Sequence, residues 1–194
     1  MTRLARQWPL VLGALVGLAA LLLARAALDP ARWFPEHLGR VYVIGTCSYS
    51  RVAVDMLAAD PSAPWIAVPV PSDAAAFNEP ACARALERLT AEGAWWLALV
   101  PTATACDRLQ RWGAERFDRE TPGEGFPAWV DGHGQFRGLG VDPATIAGLG
   151  LTPTPKIVDF WVDGGYERAV VESHGFRVPA RSPAPGQPAR PAGG

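Results

Sequence analysis

An excess of charge is the first thing this sequence lacks. Its 194 residues carry 18 Lys+Arg against 19 Asp+Glu, a net charge of −1. No basic stripe is available to neutralise phosphates, which argues against nucleic acid as the main partner. Cysteine is scarce too: three residues, an odd number. That count excludes a disulfide-stapled miniprotein and allows one bridge plus one free thiol. Histidine is equally rare. His37 and His174 are isolated, and His133 stands in the turn-like Asp131-Gly132-His133-Gly134. A metal site needs three or four converging ligands, and the cysteines are not spaced as pairs, so no metal is expected. The chain also has no Gly-rich phosphate loop and no Ser-His-Asp arrangement, and no cofactor is expected. Of the eight tryptophans, Trp95, Trp96, Trp112, Trp129 and Trp161 read as core or partner surface rather than as a cofactor box.

What remains is apolar. Hydrophobic residues make up 49% of the chain and charged ones 19%, a composition that folds. Residues 1–25 form an N-terminal segment of their own. Arg3 and Arg6 precede Trp8–Ala24, which is 17 residues without a charge. As a helix that run spans about 25 Å, near the lower limit for a bilayer. Positive charge before it places the N-terminus in the cytoplasm and the rest outside. The expectation is a single-pass anchor in the cytoplasmic membrane, with the domain on the periplasmic or extracytoplasmic side. Cleavage near Ala24-Arg25-Ala26 is the rival reading, and a buried soluble helix a third. Outside the cytoplasm disulfides persist, which gives the three cysteines weight.

Residues 26–40 read as a linker broken by Pro30 and Pro35. Residues 41–176 read as one domain, and residues 177–194 as a disordered Pro/Ala/Gly tail. Val41–Gly45 is a short strand, Cys47–Ala59 a helix, and Trp65–Val70 a second strand parallel to the first. Glu79–Glu92 is an amphipathic helix with Cys82, Leu86 and Leu89 on one face. Trp95–Val100 is strand or continued helix. Thr104 opens another helix in capping-box form. Asp118–Val141 is Gly-rich and reads as irregular. Asp142 caps a short helix with Pro143 at its first position. Lys156–Trp161 and Tyr166–Val171 flank Asp163-Gly164-Gly165, a β-hairpin signal. The sum is an α/β fold, a mixed sheet with helices on both faces.

The residues richest in chemistry are Cys47-Ser48-Tyr49-Ser50, after a strand and opening a helix. A thiol there faces the unpaired N–H groups of the first turn, which favour the thiolate. The thiolate is the nucleophile of disulfide exchange. A small buried hydrophobe at a strand end is the plain alternative for Cys47. Arg51 adds positive charge one turn on, or simply pairs with Asp55. The second feature is Leu149-Gly150-Leu151-Thr152-Pro153-Thr154-Pro155, running into the expected hairpin. A Thr-Pro there is a plausible cis-proline site.

Together these motifs resemble the thioredoxin fold over roughly residues 41–171. Within that superfamily the chain is most similar to the disulfide-bond isomerases of the bacterial periplasm, and next to the glutaredoxins. The isomerases have a Cys-x-Tyr-Cys helix start, a helical insertion with its own cysteine pair, and Leu-Gly-x-x-x-Thr-Pro before the last hairpin. The resemblance implies a thioredoxin-like sheet with a helical insertion, and Cys47 as the attacking cysteine. Ser48, Tyr49, Thr154 and Pro155 would then contact substrate.

Ser50 stands where those relatives have a second cysteine. An alcohol cannot resolve a mixed disulfide, although it can donate a hydrogen bond to the Cys47 thiolate. Release would need an outside thiol, which suits isomerisation, glutathione-linked exchange or trapping. Cys82 and Cys106 fall where the insertion pair would be. They read as a structural bridge, as two inert buried thiols, or as resolving partners of Cys47. The expected function is thiol–disulfide exchange through a single-cysteine site, with protein or small-molecule thiols and disulfides as partners. The rival is a non-catalytic thioredoxin-fold module that binds a peptide or partner.

Overall fold

The computed structural model describes residues 4–123 and 125–178. The expected C-terminal tail therefore lies, from residue 179 on, outside the described residues. By compactness the chain divides into two units, Met1–Val141 and Asp142–Gly194.

The first unit is built on a four-stranded mixed sheet. Apolar β-formers make β1 (Gly39–Val43), every residue of which is buried, and β2 (Trp65–Pro69). They pair in parallel, Val41 opposite Ala67, through the intervening helix α2 (Ser48–Ala59). β3 (Ala128–Val130) and β4 (Phe136–Leu139) form an antiparallel hairpin that joins the other side of β1. The order across the sheet is β2-β1-β3-β4.

Two long helices separate β2 from β3. In α3 (Ala75–Ala91) the buried Ala81, Cys82, Ala85, Leu86 and Leu89 recur at helical spacing. In α4 (Thr102–Glu120) the same holds for Ala105, Leu109, Gly113 and Phe117. Both helices pack on the sheet face that carries Tyr42, Ile66, Val68, Ala128 and Val130, and this layer is the main core. Trp33 and Leu38 belong to it as well, each 1% exposed. The segment read as a linker is thus anchored before β1 begins, with a 3-10 turn at Pro30–Arg32. That segment also packs over the β3–β4 turn. A Cβ on Gly132 would come within 1.7 Å of the Glu36 carbonyl, so only glycine fits beneath it.

The second unit holds three helices, α5 (Pro143–Gly148), α6 (Pro155–Asp163) and α7 (Arg168–Ser173). Asp142 caps α5 as the sequence predicts, accepting the Thr145 amide at 3.0 Å. Ile157, Val158, Trp161 and Val171 are buried, and the Trp161 and Phe176 rings meet at 5.3 Å.

Several expectations are corrected. Lys156–Trp161 and Tyr166–Val171 do not form a hairpin. Pro155 occupies the first turn of α6, Ile157, Val158 and Trp161 bury one helical face, and Gly164 and Gly165 end the helix. The Gly-rich stretch Asp118–Val141 contains two strands, with Asp131–Gly134 as their turn. Trp95–Leu99 is a 3-10 turn, neither strand nor α-helix. Helix α4 starts at Thr102 after Pro101, with no side-chain cap from Thr104.

At the N-terminus α1 (Leu4–Ala27) is a 24-residue helix. Among the described residues, no helix is long and apolar enough to cross a membrane.

Candidate functional site

Strand β1 ends at Val43, and the chain turns through Ile44, Gly45 and Thr46 before α2. The turn is tight against α3: a Cβ on Gly45 would lie 2.4 Å from that of Ala74. Cys47 follows in extended conformation, with φ −99° and ψ 123°, as the residue capping the N-terminus of α2. Its side chain makes no capping bond. The sulfur instead donates to the Phe126 carbonyl at 3.3 Å. Cys47 is the one free cysteine and is half-buried, with Thr46, Ser48 and Tyr49 exposed around it. Cys47 therefore stands half-buried at the start of α2, with its sulfur on the Phe126 carbonyl.

The carbonyl opposite is held from behind. Phe126 precedes Pro127, across a cis peptide bond, and leads directly into β3. The Phe126 ring stacks on Phe117 of α4, with centroids 4.4 Å apart and planes 11° from parallel. Phe117 in turn meets the edge of Tyr42 at 5.8 Å. The residue facing the sulfur is thus tied through two rings to the centre of β1.

Ser50 does not serve Cys47 as the sequence reading expects. It is fully buried, and its hydroxyl oxygen accepts the Ile44 amide at 3.1 Å. It braces the β1–α2 turn. Arg51 also turns back on that loop, donating to the Gly45 carbonyl from Nε at 3.3 Å and Nη2 at 3.0 Å.

Thr154 and Pro155 are not a cis-proline loop. The cis bond among the described residues is Phe126–Pro127, and Thr154 is the residue before the first turn of α6. The missed signal was Phe126-Pro127 running straight into the apolar Ala128-Trp129-Val130.

Cys82 and Cys106 are bonded to each other, with Cα atoms 5.7 Å apart. The bridge joins α3 to α4 inside the main core. Between the two cysteines the chain passes through the 3-10 turn at Trp95–Leu99. They meet because α3 and α4 pack side by side. Neither sulfur remains to resolve a disulfide on Cys47.

One cluster had no sequence signal. Arg40, from β1, donates to Glu120 of α4 twice, Nε to Oε2 at 2.8 Å and Nη2 to Oε1 at 2.7 Å. Tyr42 donates to the same Oε2 at 2.6 Å, and Arg40 Nε also reaches the Tyr42 oxygen at 3.0 Å. Arg116 adds a contact to Oε1 at 3.3 Å. Arg40 and Glu120 side chains are each 8% exposed. Trp112 lies beside both guanidinium groups and stacks on Phe34. Burial is the main force raising the Tyr42 phenol above its ordinary 10.0, and the bond to Glu120 adds to it against the opposing charge of Arg40. Burial pulls the Arg40 guanidinium down, but Glu120 and Tyr42 outweigh it and the net shift is upward. The cluster is 80 residues apart in sequence and cannot be read from local spacing.

Among the described residues no group of His, Cys, Asp and Glu is arranged to hold a metal ion. The chemistry on offer is that of one half-buried cysteine at a helix start, its sulfur on the Phe126 carbonyl. Comparison with known proteins finds no matching family, curated protein or solved structure.

Proposed function

We propose that this chain is a thioredoxin-like thiol–disulfide exchange protein that works through Cys47 alone. The carrying observation is the position of Cys47. It caps a helix directly after a parallel strand, is half-buried, and faces Phe126 at the start of an antiparallel strand. The parallel β1-α2-β2 unit with hairpin β3–β4 added beside β1 supports the thioredoxin-like reading.

The chemistry is redox-neutral. Cys47 loses its proton, and its sulfur attacks a substrate disulfide, R–S–S–R′. A Cys47–S–S–R bond forms, the S–S bond of the substrate breaks, and R′–S⁻ leaves and takes up a proton. A second thiol, from glutathione or a protein, then attacks the mixed disulfide. It carries R away as a new disulfide and returns Cys47 as a thiol. Ser50 takes no part, being buried and bonded to Ile44. To react, the sulfur must turn from the Phe126 carbonyl. The same carbonyl is then free beside the incoming substrate chain.

The partners on this reading are protein or small-molecule thiols and disulfides. The apolar run Trp8–Ala24 behind Arg3 and Arg6 supports a membrane anchor with the domain outside the cytoplasm. The bonded Cys82 and Cys106 fit an oxidising compartment. A C-terminal alkaline phosphatase fusion should then be active, and the protein should resist a carbonate wash.

One observation favours the binding-module alternative. The Cys47 sulfur rests on the Phe126 carbonyl and makes no capping bond to the first turn of α2. The deciding experiment is incubation with excess oxidised glutathione, followed by intact-mass analysis. One glutathione per chain, on Cys47 and released by dithiothreitol, is the expected result. Folded protein that takes up none would leave only the binding module.

A further inference from the structure

We propose that the domain docks on a phospholipid bilayer through Trp95 and Leu99, with Arg25 and Arg108 on the lipid phosphates. The inference rests on the reading of residues 1–25 as a membrane anchor. Trp95 is 65% exposed and Leu99 77%. Outside α1 they are the most exposed large apolar side chains among the described residues. The sequence carries no charge between Glu92 and Asp107. Ala98, Pro101 and Ala103, in the same stretch, are exposed as well. A continuous apolar patch of this kind marks a contact with protein or membrane.

The place of the patch in the fold says which. Helix α1 leaves Leu12, Leu15, Val16 and Leu21 more than half exposed, on more than one side. A helix apolar on several sides needs apolar surroundings. The end of α1 is fixed on α4. Trp33 Nε1 donates to the Ala27 carbonyl at 2.9 Å, and Arg108 Nη1 to the Leu28 carbonyl at 3.3 Å. Farther on, Phe34 stacks on Trp112 with centroids 4.8 Å apart. The chain from Leu28 to Phe34 thus runs the same way as α4 from Arg108 to Trp112. The start of α4, and the turn at Trp95–Leu99 before it, therefore point back along α1 toward its apolar part. Leu22 and Arg25 line one cleft with Thr104 and Arg108, as this direction requires. The charges fit a headgroup layer. Arg25 is the first charge after the run Trp8–Ala24. Arg25 and Arg108 are exposed, and among the described residues neither is in an ion pair. The carboxylates of Asp29 and Asp107 are taken by Arg32 and Arg111. Glu115 lies about two turns beyond Arg108, on the side away from Trp95. Two guanidinium groups are left for phosphodiesters, beside a tryptophan and a leucine placed to enter the headgroup boundary.

The test uses the full chain in a Cys47→Ser background, reconstituted into liposomes of phosphatidylcholine and phosphatidylglycerol. A polarity-sensitive fluorophore is attached at Leu99→Cys or, as the control, at Ala59→Cys. Ala59 ends α2, whose buried Ala53, Val54 and Met56 stand outside the core layer of α3 and α4. At Leu99→Cys the emission should shift to the blue, and lipid with a nitroxide on its acyl chain should quench it about twofold or more. At Ala59→Cys neither should occur. Trp95→Ser, and separately Arg25→Glu with Arg108→Glu, should reduce the quenching at Leu99→Cys by about half or more. All these side chains are exposed, and circular dichroism checks that each variant folds. A blue shift without lipid quenching would mean that protein, such as a second copy, covers the patch, and overturns the proposal. Quenching that is equal at both labels, or that ignores every substitution, overturns it too. An unshifted Leu99→Cys label on chain that floats with the liposomes overturns the docking and leaves the anchor standing. Chain that does not float with them removes both.

Discussion

Strand β1 delivers polar side chains to two places, and the protein treats them in opposite ways. At Arg40 and Tyr42 the donors run into Glu120, and nearly every polar atom is used within 3.0 Å. Past its end, Cys47 has one bond, to a carbonyl at 3.3 Å, and stands half in solvent. The first arrangement is closed and adds rigidity. The second is open and is available for chemistry. Their joint presence on one strand shows how a site is held still without being filled: Phe126 faces the sulfur, Phe117 holds Phe126, and Tyr42 holds Phe117.

The hardest way to break this contrast is to open the closed end. Glu120→Ala leaves Arg40 buried and unpaired, and should cost about 3–5 kcal/mol in urea unfolding. A loss under about 1 kcal/mol would mean that water already reaches the cluster. Next in size is the bridge between α3 and α4. Replacing Cys82 and Cys106 by serine opens a 24-residue separation and should cost about 2–4 kcal/mol. Glutathione uptake at Cys47 in the folded variant should persist, because those cysteines do not resolve it.

Alkaline pH probes the same cluster more gently. The folded phenol of Tyr42 holds its proton more tightly than the unfolded one. Its contribution is complete below the ordinary value of 10.0 and is lost as pH rises above it. Stability should fall there by up to about 1.4 kcal/mol per pH unit from this group. Tyr42→Phe should remove that part of the slope. An unchanged slope would assign it to other groups.

The smallest effect on stability should come from the open end. Cys47→Ser should shift unfolding by about 0.5 kcal/mol or less, yet abolish every mixed disulfide. Ser50→Cys supplies a second sulfur one helical turn on. It should lower the trapped adducts and raise dithiol oxidase activity. Equal adducts in the two proteins would show that the buried position 50 cannot reach Cys47.

Much of the first half of the sheet was legible. Val41-Tyr42-Val43 and Trp65-Ile66-Ala67-Val68 are apolar runs of strand length, and the helix between them dictates parallel pairing. Cys47 was legible because a strand end followed by a helix start fixes its place. The hairpin β3–β4 was not. β3 is three residues long, and β4 is Phe136-Arg137-Gly138-Leu139, without clean alternation. The final helices were misread because β-branched residues in Lys156–Trp161 hid a helical spacing of three and four. That error put the expected cis proline at Thr154-Pro155, whereas the cis bond lies at Phe126-Pro127. Arg40 and Glu120 escaped notice for another reason: an ion pair across 80 residues has no local signature.

Gly132 has a consequence for how this sequence can drift. It lies at a hairpin tip, a place where substitutions are ordinarily tolerated. The Glu36 carbonyl passes over it so closely that even alanine would need the backbone to move. In a library saturated at each position of the 131–134 turn, survivors should diversify at 133 and stay glycine at 132. The tolerance of that turn is set by a stretch of chain nearly a hundred residues away.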